Sequence, residues 1–296
     1  MTETLPTHAK FSDYVELTKP RLSMLSVLTS LVGYFAARPE HDPIKVLLLA
    51  AGASLAAGGV AALNQWSESE TDAKMGRTAQ RPIPTGRIKG GSAYVLGWGM
   101  CFVALIILFF NVGRLSAMFT LLTIASYLGC YTPAKKHSRW STEIGAVAGA
   151  FPPLIGWSAA EGSVSSLGWI LFGVLFFWQI PHFMAIAWTY RRDYSTVNFP
   201  MLPVRDETGS KVAVWSFVAT LALVAVSLLP YFLRQTSLAY ALVAAAAGVF
   251  FLWRGLDFMK ATGRDRSARR LFFFSLIYLP VVLGALVADR LLAHTS

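Results

Sequence analysis

The sequence predicts an all-α, polytopic membrane protein, and three observations carry that reading. Hydrophobic residues make up 55% of the 296 residues and charged residues 14%, about half the charged share of an ordinary soluble domain. Nine apolar runs follow a spanning-helix template. Lys and Arg gather in alternate connections, as they do in the cytoplasmic loops of membrane proteins. The composition excludes disorder and argues against a water-soluble globule. The net charge of +10 therefore reads as membrane topology, and no nucleic-acid partner is expected.

Taken in order, residues 1–15 are expected to form a flexible cytoplasmic N-terminus. Pro6, Asp13 and Glu16 interrupt the first twenty residues, so a cleavable signal peptide is not expected. The apolar runs follow at about 22–37, 44–66, 92–112, 115–132, 142–160, 166–190, 212–233, 236–256 and 271–292. The first and fifth are short or interrupted by proline. Long polar connections alternate with tight turns. With the N-terminus, the connections after the second, fourth, sixth and eighth runs, counting Arg254 at the end of the eighth, carry 21 of the 26 Lys and Arg. That asymmetry predicts a cytoplasmic N-terminus and an outside C-terminus. The whole chain, 1–296, reads as a single transmembrane domain. Cys101 and Cys130 lie within apolar runs and show no CxxC spacing, so neither a disulfide framework nor a zinc site is expected.

Asn64, Glu68 and Asp72 fall at i, i+4 and i+8 where the second run ends. On a continuing helix they occupy one face within about 80° of one another and span about 12 Å. Two carboxylates and an amide oxygen suit Mg²⁺, which keeps waters and takes phosphate oxygens as further ligands. A solvated helix end gives the same pattern. Just beyond lie Lys74, Arg77 and Arg81, and guanidinium groups match phosphate oxygens bidentately. A second connection offers Lys135, Lys136, His137 and Arg139, and a third runs Tyr190-Arg191-Arg192-Asp193-Tyr194. His182 lies inside the sixth run, about 13 Å along the helix from Arg191. An ionisable group at such a depth suggests a functional site, and three roles fit: an axial ligand to haem iron, a general base, or a helix-packing hydrogen bond. His8, His41, His137 and His294 look solvated. Trp66, Trp98, Trp140, Trp157, Trp169, Trp178 and Trp188 sit at or near run ends as an interfacial belt, and inward-facing ones can shield a carbocation.

The stretch Asn64-Gln65-Trp66-Ser67-Glu68-Ser69-Glu70-Thr71-Asp72-Ala73-Lys74-Met75-Gly76-Arg77-Thr78 through Arg81-Pro82 resembles the first acidic motif of the UbiA-type intramembrane prenyltransferases. Within that family it is most similar to the haem-farnesylating branch, the protohaem IX farnesyltransferases. Leu17-Thr18-Lys19-Pro20-Arg21, Gly149-Ala150-Phe151-Pro152-Pro153-Leu154-Ile155-Gly156-Trp157 and Phe177-Trp178-Gln179-Ile180-Pro181-His182-Phe183 point to the same branch. The resemblance covers residues 14–290. Glu68 and Glu70 stand where the family usually has Asp. Arg192-Asp193-Tyr194 replaces the common Asp-Asp-Tyr, leaving Asp193 alone for a second metal position. Glu143 is outside the family pattern; it either supplies a missing carboxylate or pairs with Arg139.

The resemblance implies a UbiA-like bundle of nine transmembrane helices in the cell inner membrane, acting on farnesyl diphosphate and haem B to give haem O and diphosphate. Mg²⁺ is the implied cofactor, held by Asn64, Glu68, Asp72 and Asp193. Arg77 and Arg81, with Lys135, Lys136 and Arg139, are the implied diphosphate-binding cations. His182 and Arg21 are the implied haem contacts, at the iron or ring edge and at a propionate. Membrane lipid, a haem A synthase and terminal-oxidase assembly are the implied partners.

Overall fold

The computed structural model describes residues 9–37 and 42–293, and every regular element among them is helical. A short helix α1 (Phe11–Thr18) turns directly into α2 (Pro20–Ala37). Lys19 between them is left-handed, with φ 47°, a conformation disfavoured for a non-glycine residue that precedes proline. Gln65 of the next long helix holds the turn, because its Nε2 donates to the Leu17 carbonyl at 2.8 Å and so satisfies an acceptor that a helix end leaves free. Arg87 donates to Asp13 at 2.5 Å and to Glu16 at 2.9 Å. From Phe11 onward the expected flexible tail is thus helical and tied down; residues 1–8, with His8, lie outside the described residues, as do His41 and His294.

α3 (Pro43–Ser67) starts at Asp42, whose carboxylate accepts from the Ile44 and Lys45 N–H groups, with Pro43 in the first turn. α4 (Ser69–Asp72) prolongs it. α5 (Gly90–Ile107) ends in a π-helical turn, Leu108–Val112, and α6 (Arg114–Ala125) passes through another, Ser126–Tyr131, into α7 (Thr132–His137). Then come α8 (Ser141–Ala150), α9 (Pro152–Glu161), α10 (Ser166–Thr189), the short α11 (Arg191–Ser195) and α12 (Leu202–Arg205), and the long α13 (Ser210–Phe232), α14 (Leu238–Met259) and α15 (Arg264–Ala293).

Among the described residues seven helical stretches are long and apolar enough to cross a membrane: Pro43–Ser67, Gly90–Val112, Arg114–His137, α10, α13, α14 and α15. The other two predicted spans correspond to α2 and to the pair α8 and α9. That pair is broken at Phe151, ahead of Pro152 and Pro153, into two helices of 10 residues; each is about 15 Å long, half the hydrocarbon thickness of a bilayer. α15 begins seven residues before its predicted run. Arg264 is buried there and donates to the Thr208, Phe258 and Met259 carbonyls, which stabilises the charged first turns as helix.

α10 is the most buried of the seven and packs against α8, α13 and α15. α3 lies along α5, α14 along α15, and α2 along α9. The last contact is backbone to backbone: a Cβ on Gly156 would stand 1.6 Å from the Ser30 carbonyl oxygen, and one on Gly33 2.0 Å from that of Pro153. Leu171, Met184, Leu223, Phe251 and Tyr278 fill the core. Leu47, Phe102, Phe110, Leu242 and Phe273 face outward, as lipid contact requires.

Candidate active site

The site grows out of the junction between α3 and α4. The backbone kinks at Glu68 (φ −102°, ψ 6°), yet Glu68 N–H still donates to the Asn64 carbonyl at 3.0 Å and Asp72 N–H to that of Glu68 at 2.7 Å. The helical repeat therefore runs through, and Asn64, Glu68 and Asp72 are 2%, 6% and 1% exposed. Each carboxylate has a cation from a different part of the chain. Lys135 Nζ donates to Glu68 Oε1 at 2.8 Å, and Arg81 to Asp72 Oδ2 at 2.5 Å. Thr78 folds the connection back by donating to the Asp72 carbonyl at 2.8 Å.

Lys135 reaches Glu68 from the end of the π-helical turn, where Thr132 Oγ1 donates to the Tyr127 carbonyl, and its ammonium lies 4.6 Å from the centre of the Tyr131 ring. π-Helical insertions often occur at functional positions because they re-aim the side chains that follow. The Arg77 guanidinium stacks over the Tyr190 and Tyr194 rings at 5.2 and 4.6 Å and donates to the Tyr194 hydroxyl. That contact draws the connection holding Asp193 toward the first acidic motif.

Lys19 lies in the Leu17–Arg21 motif, where the sequence singles out Arg21. Its ammonium is pushed down to about 7 by burial and by the nearby Arg81 and Lys135, with Glu68 and Asp72 acting in the opposite sense. The left-handed turn before Pro20 thus brings Lys19 within electrostatic range of the acidic pair without an ion pair to either carboxylate, whereas Arg21 is exposed at the start of α2. Burial also holds the Asp72 carboxyl above the ordinary carboxylate range, against the pull of Arg81.

A divalent cation fits this set. Asp72 Oδ1 is buried without a hydrogen-bond partner, and an unsatisfied buried carboxylate oxygen calls for an explanation such as an ion; the unpartnered Asn64 Nδ2 is a donor and suits a phosphate oxygen beside it. Among the described residues no three His, Cys, Asp or Glu side chains gather to hold a metal, and Asp193 does not join Glu68 and Asp72. Two carboxylates and an amide leave coordination positions for phosphate oxygens and water, the arrangement that Mg²⁺ prefers.

The other predicted residues lie elsewhere. Lys136 is exposed, and so is Arg139, whose guanidinium lies 5.1 Å from the centre of the Trp140 ring. Glu143 neither completes the acidic pair nor bonds Arg139; it accepts from Trp215 Nε1 at 2.5 Å. His182 is buried between α10 and α15, stacked on Trp178 with ring centres 4.6 Å apart, and its Nδ1 is 2.7 Å from Ser275 Oγ. Ser275 Oγ itself donates to the Phe272 carbonyl at 2.6 Å. Its proton is committed, so Nδ1–H is the donor to Ser275 and His182 Nε2 keeps its lone pair.

An acidic pair ringed by cations at the end of a helical bundle matches a known family. The family model described as the UbiA prenyltransferase family matches residues 26–277. The chain belongs to the UbiA prenyltransferase family. It is a multi-pass membrane enzyme, a prenyltransferase. This UbiA member is 66% identical over 291 residues to a protein named Protoheme IX farnesyltransferase from Opitutus terrae, covering 98% of this chain and 99% of that one. It is 40% identical to one of the same name from Solibacter usitatus, covering 94% and 98%. Among solved structures, the fold is shared with a digeranylgeranylglyceryl phosphate synthase at TM-score 0.81 and 18% identity, covering 95% of this chain and 98% of that one. A UbiA homolog from Archaeoglobus fulgidus bound to GPP and Mg²⁺ aligns at TM-score 0.64 and 11% identity, covering 93% and 99%.

Proposed function

We propose that this prenyltransferase transfers the farnesyl group of farnesyl diphosphate to the 2-vinyl group of haem B, with addition of water, giving haem O and diphosphate. One observation carries the chemistry: two buried carboxylates at helical spacing, each paired with a separate cation. Donor and acceptor follow from the name shared by relatives that align over nearly the whole chain.

Asn64, Glu68 and Asp72 would hold Mg²⁺; Asp193, which stands apart from them, would add its carboxylate only if its connection moved toward the first acidic motif. When bound, the ion supplies Lewis-acid stabilisation of charge on the diphosphate oxygens. Lys135 and Arg81 then exchange their carboxylate partners for phosphate oxygens. Arg77 and Lys19 add donors, while Lys136 and Arg139, exposed away from the acidic pair, add only to the positive charge of the same set of connections. Charge develops on the leaving diphosphate as its bond to C1 of the farnesyl group breaks, and these fixed cations stabilise it in a water-poor site. The haem vinyl group attacks C1, and water captures the vinyl carbon left cationic, giving up a proton to the released diphosphate or to solvent. No nucleophilic side chain takes part. His182, with its free Nε2 lone pair, is the haem contact, and Arg21, exposed at the start of α2, pairs with a propionate.

The two further spans complete a nine-helix bundle in the cell inner membrane, with the N-terminus in the cytoplasm and the C-terminus outside. Haem A synthase and the assembling terminal oxidase receive the product.

The test is turnover by the detergent-purified chain given haem B, farnesyl diphosphate and Mg²⁺, with pigments read by mass spectrometry with and without chelator. A chelator-sensitive product with the mass of haem B plus farnesyl plus water is expected. Folded enzyme that leaves haem B unchanged while prenylating another acceptor would overturn the assignment.

A further inference from the structure

A cavity of about 190 Å³ opens where α8 and α13 begin, lined by Arg139, Trp140, Glu143, Leu202, Lys211 and Trp215. None of these side chains bonds to Asn64, Glu68 or Asp72. Glu143 reaches into it from the first turn of α8. One of its oxygens, Oε1, accepts from Trp215 Nε1, but Oε2 is buried and has no partner. Trp140 meets Trp215 nearly edge to face, with ring centres 5.6 Å apart. Arg139 and Lys211 are exposed at the rim, and Arg139 rests on Trp140 instead of closing the four-residue gap to Glu143.

A carboxylate oxygen buried without a donor is costly unless something supplies one. The order of groups, a buried carboxylate oxygen with the part-buried Trp215 and the exposed Trp140 beside it and cations at the edge, is that of a receptor for a dipolar molecule with its positive end inward. Lys211 and Trp215 stand in the first two turns of a helix apolar enough to span a bilayer, which is headgroup depth. We propose that this cavity binds the headgroup of a zwitterionic phospholipid that carries a primary ammonium. The ammonium donates to Glu143 Oε2 and lies against the indoles, which attract cations. The phosphodiester meets Arg139 and Lys211. A quaternary ammonium has no N–H for Oε2, and a purely anionic headgroup would set its charge against the carboxylate.

The test uses the full chain in detergent, with phosphatidylethanolamine, phosphatidylcholine and phosphatidylglycerol added at equal concentration and bound lipid counted by native mass spectrometry. Preferential retention of phosphatidylethanolamine is expected, falling about tenfold in Glu143→Gln. Lys211→Ala, a change at an exposed residue, weakens retention several-fold and decides the matter if Glu143→Gln fails to fold. Equal retention of phosphatidylcholine, stronger retention of phosphatidylglycerol, or phosphatidylethanolamine retention unchanged in every folded variant would overturn the proposal.

Discussion

Glu68 and Asp72 are buried, one helical turn apart, and each is neutralised by a cation that phosphate can claim. Glu68→Gln and Asp72→Asn keep shape and remove charge; each should lower kcat by about a hundredfold or more, the usual loss when a fixed electrostatic group is removed, with the fold intact by circular dichroism. Lys19 responds to pH. Its ammonium, held at about 7 in the folded chain, is charged below that pH and neutral above it, so the advantage of wild type over Lys19→Met in binding inorganic pyrophosphate should shrink between pH 6 and 8.5. An advantage that stays constant with pH would separate Lys19 from anion binding. The sign for stability is the reverse. An unfolded lysine stays protonated to about 10.4, so the unfolded chain binds the extra proton between about 7 and 10, and this group's contribution to stability rises with pH across that window. At His182 the bond to Ser275 fixes the tautomer. Ser275→Ala should change the haem Soret band and weaken haem binding several-fold while leaving farnesyl diphosphate binding unchanged; His182→Ala should do the same more severely. Equal loss of both ligands in the two variants would make these residues helix packing alone.

At the scale of elements, the crossing of α2 and α9 depends on two glycines at backbone contact. Gly156→Ala would set a Cβ 1.6 Å from the Ser30 carbonyl oxygen, with only rigid backbone available to yield. Overpacking of this kind costs about 1–3 kcal/mol, so the melting temperature in detergent should fall by several degrees; Gly284→Ala, with nothing within 4 Å of its Cβ, should leave it unchanged. This scale also shows where the sequence was readable. The stripe Asn64, Glu68, Asp72 could be read because a helical repeat survives a kink in the chain. The break at Phe151 was signalled by Pro152 and Pro153. Lys135 could not be told from Lys136 and Arg139, because the π-helical turn that aims it leaves no periodic signature. Lys19 was passed over for Arg21 because its position depends on a left-handed turn that Gln65 clamps from another helix. The helical start of α15 was missed because buried Arg264 looks, in sequence, like any loop cation.

For the molecule as a whole, the decisive property is that the polar connections meet at one end of the bundle. Arg77 reaches Tyr194, Lys135 reaches Glu68, Arg191 pairs with Asp265, and Arg264 bonds the Thr208 carbonyl. The same connections and the N-terminal segment, with Arg254 in the last turns of α14, carry 21 of the 26 Lys and Arg. The residues that would bind diphosphate are therefore also among those that set orientation, and moving them across the membrane would mean translocating most of the positive charge. A reporter enzyme active only outside the cytoplasm, fused after residue 293, should be active, whereas the same reporter inserted in the connection at residues 86–89 should be silent. The opposite pair of results would place the acidic site on the outer face, away from a cytoplasmic supply of prenyl diphosphate. Activity at both positions, or at neither, would mean an even number of crossings between the two sites, and the broken pair α8 and α9 would then have to be counted differently from the nine-span reading.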